Sequence, residues 1–260
     1  MRERIPLKHS TRIVRRKSIQ QSRRASHQKT KLPPAPSSLQ IPDTQEYNDE
    51  IYIIGGGSSL INFNFSKLFD KCTLAVNKAV FDVPNPNYFI SVDYTFLRKI
   101  NRSVFDPILA KKFFVADLSF PFMKEVNGEI VDTRYDLYYD LTGFDALVRA
   151  HNQKGIGYSF EDFRTGINSG YCALQLSIIF GFKKIYLLGF DLNKKDISHY
   201  HGGYGEPLVS FNSKLDRYYD YFKEGLEQLK REKSSIQIMS CSKDSRLNDV
   251  IPYINVEDHL

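Results

Sequence analysis

His199 and His201 stand two residues apart in "SHYHGGYGEP", beside Tyr200, Tyr204 and three glycines. Imidazole is the side chain whose ordinary pKa lets it take up a proton near neutral pH, so a histidine pair on a glycine-rich loop reads as the seat of a general base. Asp191 lies eight residues before His199. The three could converge on a metal, but their spacing matches no standard ligand set. No Asp-x-Asp pair occurs anywhere in the chain to hold a divalent cation on a nucleotide diphosphate. The expectation is therefore of no metal.

A second stretch bears on binding. In "IYIIGGGSSL", residues 51 to 60, four β-prone residues run into Gly55, Gly56 and Gly57, then Ser58 and Ser59. Strand, glycine turn and helix open a nucleotide-binding βαβ unit, where bare amides face a phosphate or ribose. The dinucleotide fingerprint is not met, because Leu60 stands where the third glycine would be, and no P-loop Gly-Lys-Ser/Thr occurs. A tight turn without a ligand stays open as a reading. Asn77 follows twenty residues after Gly57, where dinucleotide proteins keep an acid for the ribose; an amide both donates and accepts there, and alone is also a common turn residue. Asp93 ends a third apolar run, also on the carboxyl edge where open α/β sheets bind ligands, and is a further donor-binding candidate. Asn168 and Ser169 open a buried helix, either as its cap or facing an anion. Gly189, Phe190 and Asp191 follow a uniformly apolar strand, and Gly189 permits close approach of a base or sugar.

The elements that must carry these residues alternate. "EIYIIG", "CTLAVN", "NYFISVD", "KKFFVAD", "KKIYLLGFD" and "SIQIMSC" read as strands. "NFSKLF" reads as a short helix capped by Asn64 or Ser66, "NSGYCALQLSIIFGF" as a buried helix stopped by Gly181, and "SKLDRYYDYFKEGLEQLKRE" as an amphipathic one. Residues 120 to 165 show no clear period and read as short helices and loops. The fold expected is α/β: a single Rossmann-like domain over residues 48–260, its mostly parallel sheet covered by helices on both faces.

Composition sets the surroundings. The 260-residue chain carries a net charge of +6, yet its first 32 residues hold eleven Lys or Arg against one acid, so about +10 sits in the tail and about −4 in the rest. Residues 1–47 read as a disordered basic arm and a Pro-rich linker, a solvated segment or a contact for nucleic acid or an anionic surface. An organelle transit peptide is a further reading of the arm's bias. Three widely spaced cysteines, with no Cys-x-x-Cys, point to reduced thiols in a cytoplasmic protein. No stretch approaches the ~18 apolar residues of a transmembrane helix.

Together "IYIIGGGSSL", "LAVNKAV", "INSGYCALQLSIIFGFKKIYLLGFDL", "SHY" and "IQIMSCSKDSRLNDVI" resemble the Campylobacter-type bacterial sialyltransferase family. They also resemble the related 6-hydroxymethylpterin diphosphokinase-like proteins and motility-accessory glycosyltransferases. The resemblance spans roughly residues 50 to 252. It implies a metal-independent glycosyltransferase that uses a CMP-sugar as co-substrate, with no cofactor, and a glycan or other hydroxyl as acceptor. On that reading Gly55, Gly57 and Ser59 lie against the cytidine nucleotide, Asn77 binds the donor, Ser169 faces the donor sugar's charged side and Gly189 to Asp191 hold the nucleoside. His199 is then the general base. The sialyltransferases have asparagine where this chain has Gly56, and a long lid whose two tyrosines hold the leaving phosphate. Here seven residues separate Asp191 from His199, with Asn193 near the first tyrosine's place. Tyr200 or Tyr204 would have to substitute. The short connection fits the diphosphokinase-like branch equally, which would use ATP and Mg²⁺. A non-catalytic nucleotide-binding module with a nucleic-acid-binding arm is the third reading.

Overall fold

The computed structural model describes residues 42–127, 129–194, 196–203 and 205–260. Most of the predicted basic arm, and Tyr204, lie outside the described residues. In chain order the elements are β1 (Glu50–Ile54), β2 (Thr73–Val76), β3 (Tyr88–Ser91), α1 (Tyr94–Lys99), α2 (Arg102–Phe105), β4 (Lys111–Asp117), β5 (Met123–Val126), β6 (Glu129–Asp132), β7 (Leu137–Tyr138), β8 (Ala146–Ala150), α3 (Ser169–Ile179), β9 (Lys184–Leu188), α4 (Leu208–Arg231) and β10 (Gln237–Ser240).

The main sheet has the order β10-β9-β1-β2-β3-β4-β8, and every pairing in it is parallel. The chain starts in the middle at β1 and steps outward to β8. It then returns through α3 to β9 on the other side of β1. The strand order thus reverses between β1 and β9, and in open α/β sheets the crevice at the carboxyl ends of two such strands is where ligands bind.

Burial on both faces explains the continuous apolar runs in the strands. Ile51, Ile53, Leu74, Ile90, Val115 and Leu187 point to one layer, with α3 and α4; Tyr52, Ile54, Ala75, Phe89, Phe114 and Leu188 point to the other. Helix α3 is buried at every position from Ser169 to Ile178, which is why it is apolar all round. Asn168 caps it, its side chain accepting from the Tyr171 amide at 3.0 Å, and Gly181 follows at φ +92°.

Two expectations are corrected. The β1–β2 connection holds no α-helix: Ser58–Leu60 and Phe65–Leu68 are 3₁₀ turns, the second capped by Asn64. Three consecutive glycines and a left-handed Asn62 at φ 66° give a chain that bends too often for a longer helix. Residues 120–165 are not loops and short helices. They contain β8, which extends the main sheet beside β4, and the separate antiparallel sheet β5-β6-β7. That small sheet packs its buried Met123 and Ile130 into the second layer, sharing the face opposite α3 with 3₁₀ turns and the short helices α1 and α2. Before β1, Tyr47 packs against the α3-side core and accepts a hydrogen bond from Asn87.

Candidate active site

The glycine turn closes directly on β9. The Gly55 amide donates to the Leu188 carbonyl and the Gly57 amide to the Gly189 carbonyl, each at 2.8 Å. The Ser59 amide donates to the Asp191 carboxylate at 2.9 Å, and the Ser58 and Ser59 hydroxyls donate to it too. A Cβ at position 57 would stand 2.6 Å from the Gly189 oxygen and 2.8 Å from Asp191, and one at position 55 would stand 2.7 Å from the same Gly189 oxygen. Bare backbone is therefore required by the fold itself. The amides expected to be open to a ligand at Gly55, Gly57 and Ser59 have partners on β9 and the residues after it.

Gly56 does something different. A Cβ there would stand 2.7 Å from His199 Cδ2 and 3.1 Å from His201 Nε2. The Tyr200 amide donates to the Gly56 carbonyl at 3.1 Å, so the histidine loop is seated on this residue. The His199 and His201 rings stack with centroids 5.0 Å apart, and Phe211 of α4 lies 4.7 Å from His199. His199 Nδ1 is 2.9 Å from the Ser198 hydroxyl. Burial, then the neighbouring His201 and Lys78, push the His199 imidazole down to about 4, against an opposing pull from Glu206. Burial and Lys78 push His201 down to about 4 as well. Both rings are neutral at pH 7, the form able to accept a proton.

His199 stands where two cavities adjoin. The first, of ≈ 130 Å³, lies at the switch point between β1 and β9; Gly55, Gly56, Gly57, Gly189, Phe190 and Asp191 line it. The second, of ≈ 600 Å³, extends toward Asp93, Lys99, Arg134 and Lys214. Asn77, Asn168, Ser169, His199, Phe211 and Tyr218 line both. Asn77 sits at φ 53°, a left-handed conformation asparagine tolerates, and its buried side-chain oxygen has no hydrogen-bond partner among the described residues. The Ser169 hydroxyl accepts from the Val92 amide at 3.0 Å, tying the start of α3 to the end of β3.

Three sequence-predicted residues fall outside the first cavity. Ser59 is turned to Asp191 and Ser242. Asp93 caps α1, accepting from the Thr95 and Phe96 amides at 2.7 and 3.2 Å, and lines only the second cavity. Tyr200 lines neither: its hydroxyl donates to Asp82 at 2.9 Å and its ring packs 5.3 Å from Phe65. Those contacts anchor the loop that carries the two histidines. Tyr204 lies outside the described residues. Tyr218 is a lining residue that the sequence reading misses. Its neighbour Tyr219 is buried in the core. Adjacent positions on a helix point about 100° apart, so two consecutive tyrosines on an amphipathic helix cannot share one packing site, and that is the signal that could have found it. Burial pushes the Tyr218 phenol up to about 12, so it keeps its proton.

Among the described residues no cluster of three His, Cys, Asp or Glu is arranged to hold a metal ion, Asp191 being turned to Ser58 and Ser59. No helix among them is long and apolar enough to cross a membrane.

No protein-family model matches the sequence, and no curated protein matches it. Among solved structures the chain is similar to sialyltransferases. One is the monofunctional α-2,3-sialyltransferase Cst-I of Campylobacter jejuni, at 19% identity and TM-score 0.49, over 84% of each chain. Another is CstII of Campylobacter jejuni in complex with cytidine-5′-monophosphate, at 18% identity and TM-score 0.46, over 78% of this chain and 84% of that one. A third is CstII with a trisaccharide acceptor and CMP, at 18% identity and TM-score 0.45, over 78% and 85%. Function has to be argued from the site.

Proposed function

We propose that this chain is a glycosyltransferase that moves a sugar from a CMP-sugar-like donor to an acceptor hydroxyl, with His199 as general base. The observation that carries this reading is the position of His199 at the junction of the two cavities, pressed against the glycine turn. Group transfer between two bound molecules needs one base at the meeting point of two sites. The donor nucleotide occupies the switch-point crevice, where the unpartnered Asn77 oxygen accepts a ribose or base donor. The acceptor occupies the wider cleft.

His199 takes the acceptor proton as that oxygen attacks the anomeric carbon and the bond to the nucleotide phosphate breaks. Such help is worth roughly 100- to 10,000-fold. The imidazole is neutral beforehand because it is buried, and a bound anionic donor raises its proton affinity at the moment of reaction. The protonated Tyr218 phenol is the hydrogen-bond donor for the departing phosphate, the role that the family resemblance would give to Tyr200 or Tyr204. Metal independence and the cytidine base follow from the sequence resemblance.

A thermal-shift screen against CMP, UDP, GDP and ATP tests the reading. A nucleotide at 100 times its dissociation constant adds about 2.7 kcal/mol of stability. CMP is expected to give the largest shift, unchanged by EDTA. A shift confined to ATP with Mg²⁺ contradicts it.

A further inference from the structure

A third cavity, of ≈ 370 Å³, opens beside the acceptor cleft. Phe81, Phe96, Ile100 and Val104 form its apolar wall, and Phe81 and Val104 remain 39% and 53% exposed. Large apolar side chains left in water around one concavity mark a surface that something apolar covers. The groove is continuous with the site: Thr95 and Lys99 line both it and the cleft holding His199. Its other cation, Lys78, reaches the histidine loop, its ammonium donating to the Gly203 carbonyl. No acidic side chain is among the described residues lining the groove. An apolar floor thus meets a positively charged rim just where it joins the catalytic cleft.

We propose that this groove receives the apolar tail of an amphiphilic acceptor, whose anionic linking group sits at Lys78 and Lys99 and whose hydroxyl reaches His199. The inference rests on the glycosyltransferase reading for the word acceptor and narrows its substrate class. A purely water-soluble sugar would leave the groove empty, whereas a tail-bearing phosphate matches both its floor and its rim.

Calorimetric titration of the full chain with octyl phosphate, methyl phosphate and octyl glucoside, all below micelle formation, tests this without requiring turnover. Octyl phosphate is expected to bind at least about tenfold tighter than methyl phosphate, since each buried methylene adds to affinity. Val104→Glu removes that advantage. Lys99→Ala weakens octyl phosphate several-fold and leaves octyl glucoside unaffected. Phe81→Ser, with its melting curve recorded, replaces Val104→Glu if that variant fails to fold. Equal affinity for octyl and methyl phosphate overturns the proposal, as does an octyl advantage that survives both groove variants, or octyl glucoside binding as tightly as octyl phosphate. CMP titrated into the same sample reports separately on the donor site, so loss of CMP binding refutes the transferase reading and leaves the groove result standing.

Discussion

The His199 ring lies 2.7 Å from the point where a side chain at Gly56 would begin. The middle glycine of the turn therefore does not serve the turn. It leaves room for an imidazole carried on a loop more than 140 residues away in sequence.

Substituting that glycine should separate activity from stability. Gly56→Ala pushes the imidazole aside, and misplacing a catalytic group by about 1 Å costs on the order of 100-fold in rate. Gly57→Ala instead drives a methyl into the Gly189 carbonyl and the Asp191 carboxylate, and overpacking of that kind costs about 1–3 kcal/mol of stability. Urea midpoints and kcat/KM measured on both variants are expected to show Gly56→Ala folded but slow, and Gly57→Ala less stable.

Asp191 is predicted to act through the turn. Its carboxylate holds the Ser59 amide and two serine hydroxyls. Asp191→Asn weakens charge-assisted hydrogen bonds worth about 1.5–3 kcal/mol. The midpoint of denaturation should fall accordingly, with KM for the donor rising more than kcat falls.

The histidine pair should make folding sensitive to acid. Each ring is held near 4 in the fold against 6.5 unfolded, so the unfolded chain takes up protons first. Stability is intact above pH 6.5 and is lost progressively as the pH falls from 6.5 to 4. The slope is at most ~1.4 kcal/mol per pH unit per ring, and less in this fold because both rings keep some contact with water. Melting temperatures between pH 4 and 7 should show this loss, reduced in the His199→Gln, His201→Gln double variant. In the free enzyme, kcat/KM should show no histidine inflection near 6.5.

Tyr218→Phe keeps the ring and removes the hydroxyl. If the phenol donates to the leaving phosphate, kcat falls by about 10- to 100-fold with donor affinity nearly unchanged. Steady-state kinetics with matched nucleotide-binding measurements checks both halves.

The parallel sheet is legible in the sequence because strands buried on both faces must be apolar without interruption, as Ile51–Ile54 and Ile185–Leu188 are. Asn168 is legible as a helix-start residue, since capping is local, whereas Asp93, read as a strand end, also turns out to cap a helix. Strand β8 is not, because Arg149 interrupts a five-residue run whose burial depends on β4, far away in sequence. The destination of Tyr200 is hidden for the same reason: its partner Asp82 comes from another part of the fold. The shared cleft of the glycine turn and His199 can be anticipated from their places at strand ends. What the amides of Gly55 and Gly57 bond to is not legible, because in one dimension a glycine needed for close backbone packing looks the same as one needed for a ligand.

The most direct test is single-turnover sugar transfer by His199→Asn, with CMP affinity measured on the same protein. A rate lower by roughly 100- to 10,000-fold with CMP affinity within about threefold is the predicted result. Transfer at the unaltered rate contradicts the assignment of His199 as the base between the two cavities.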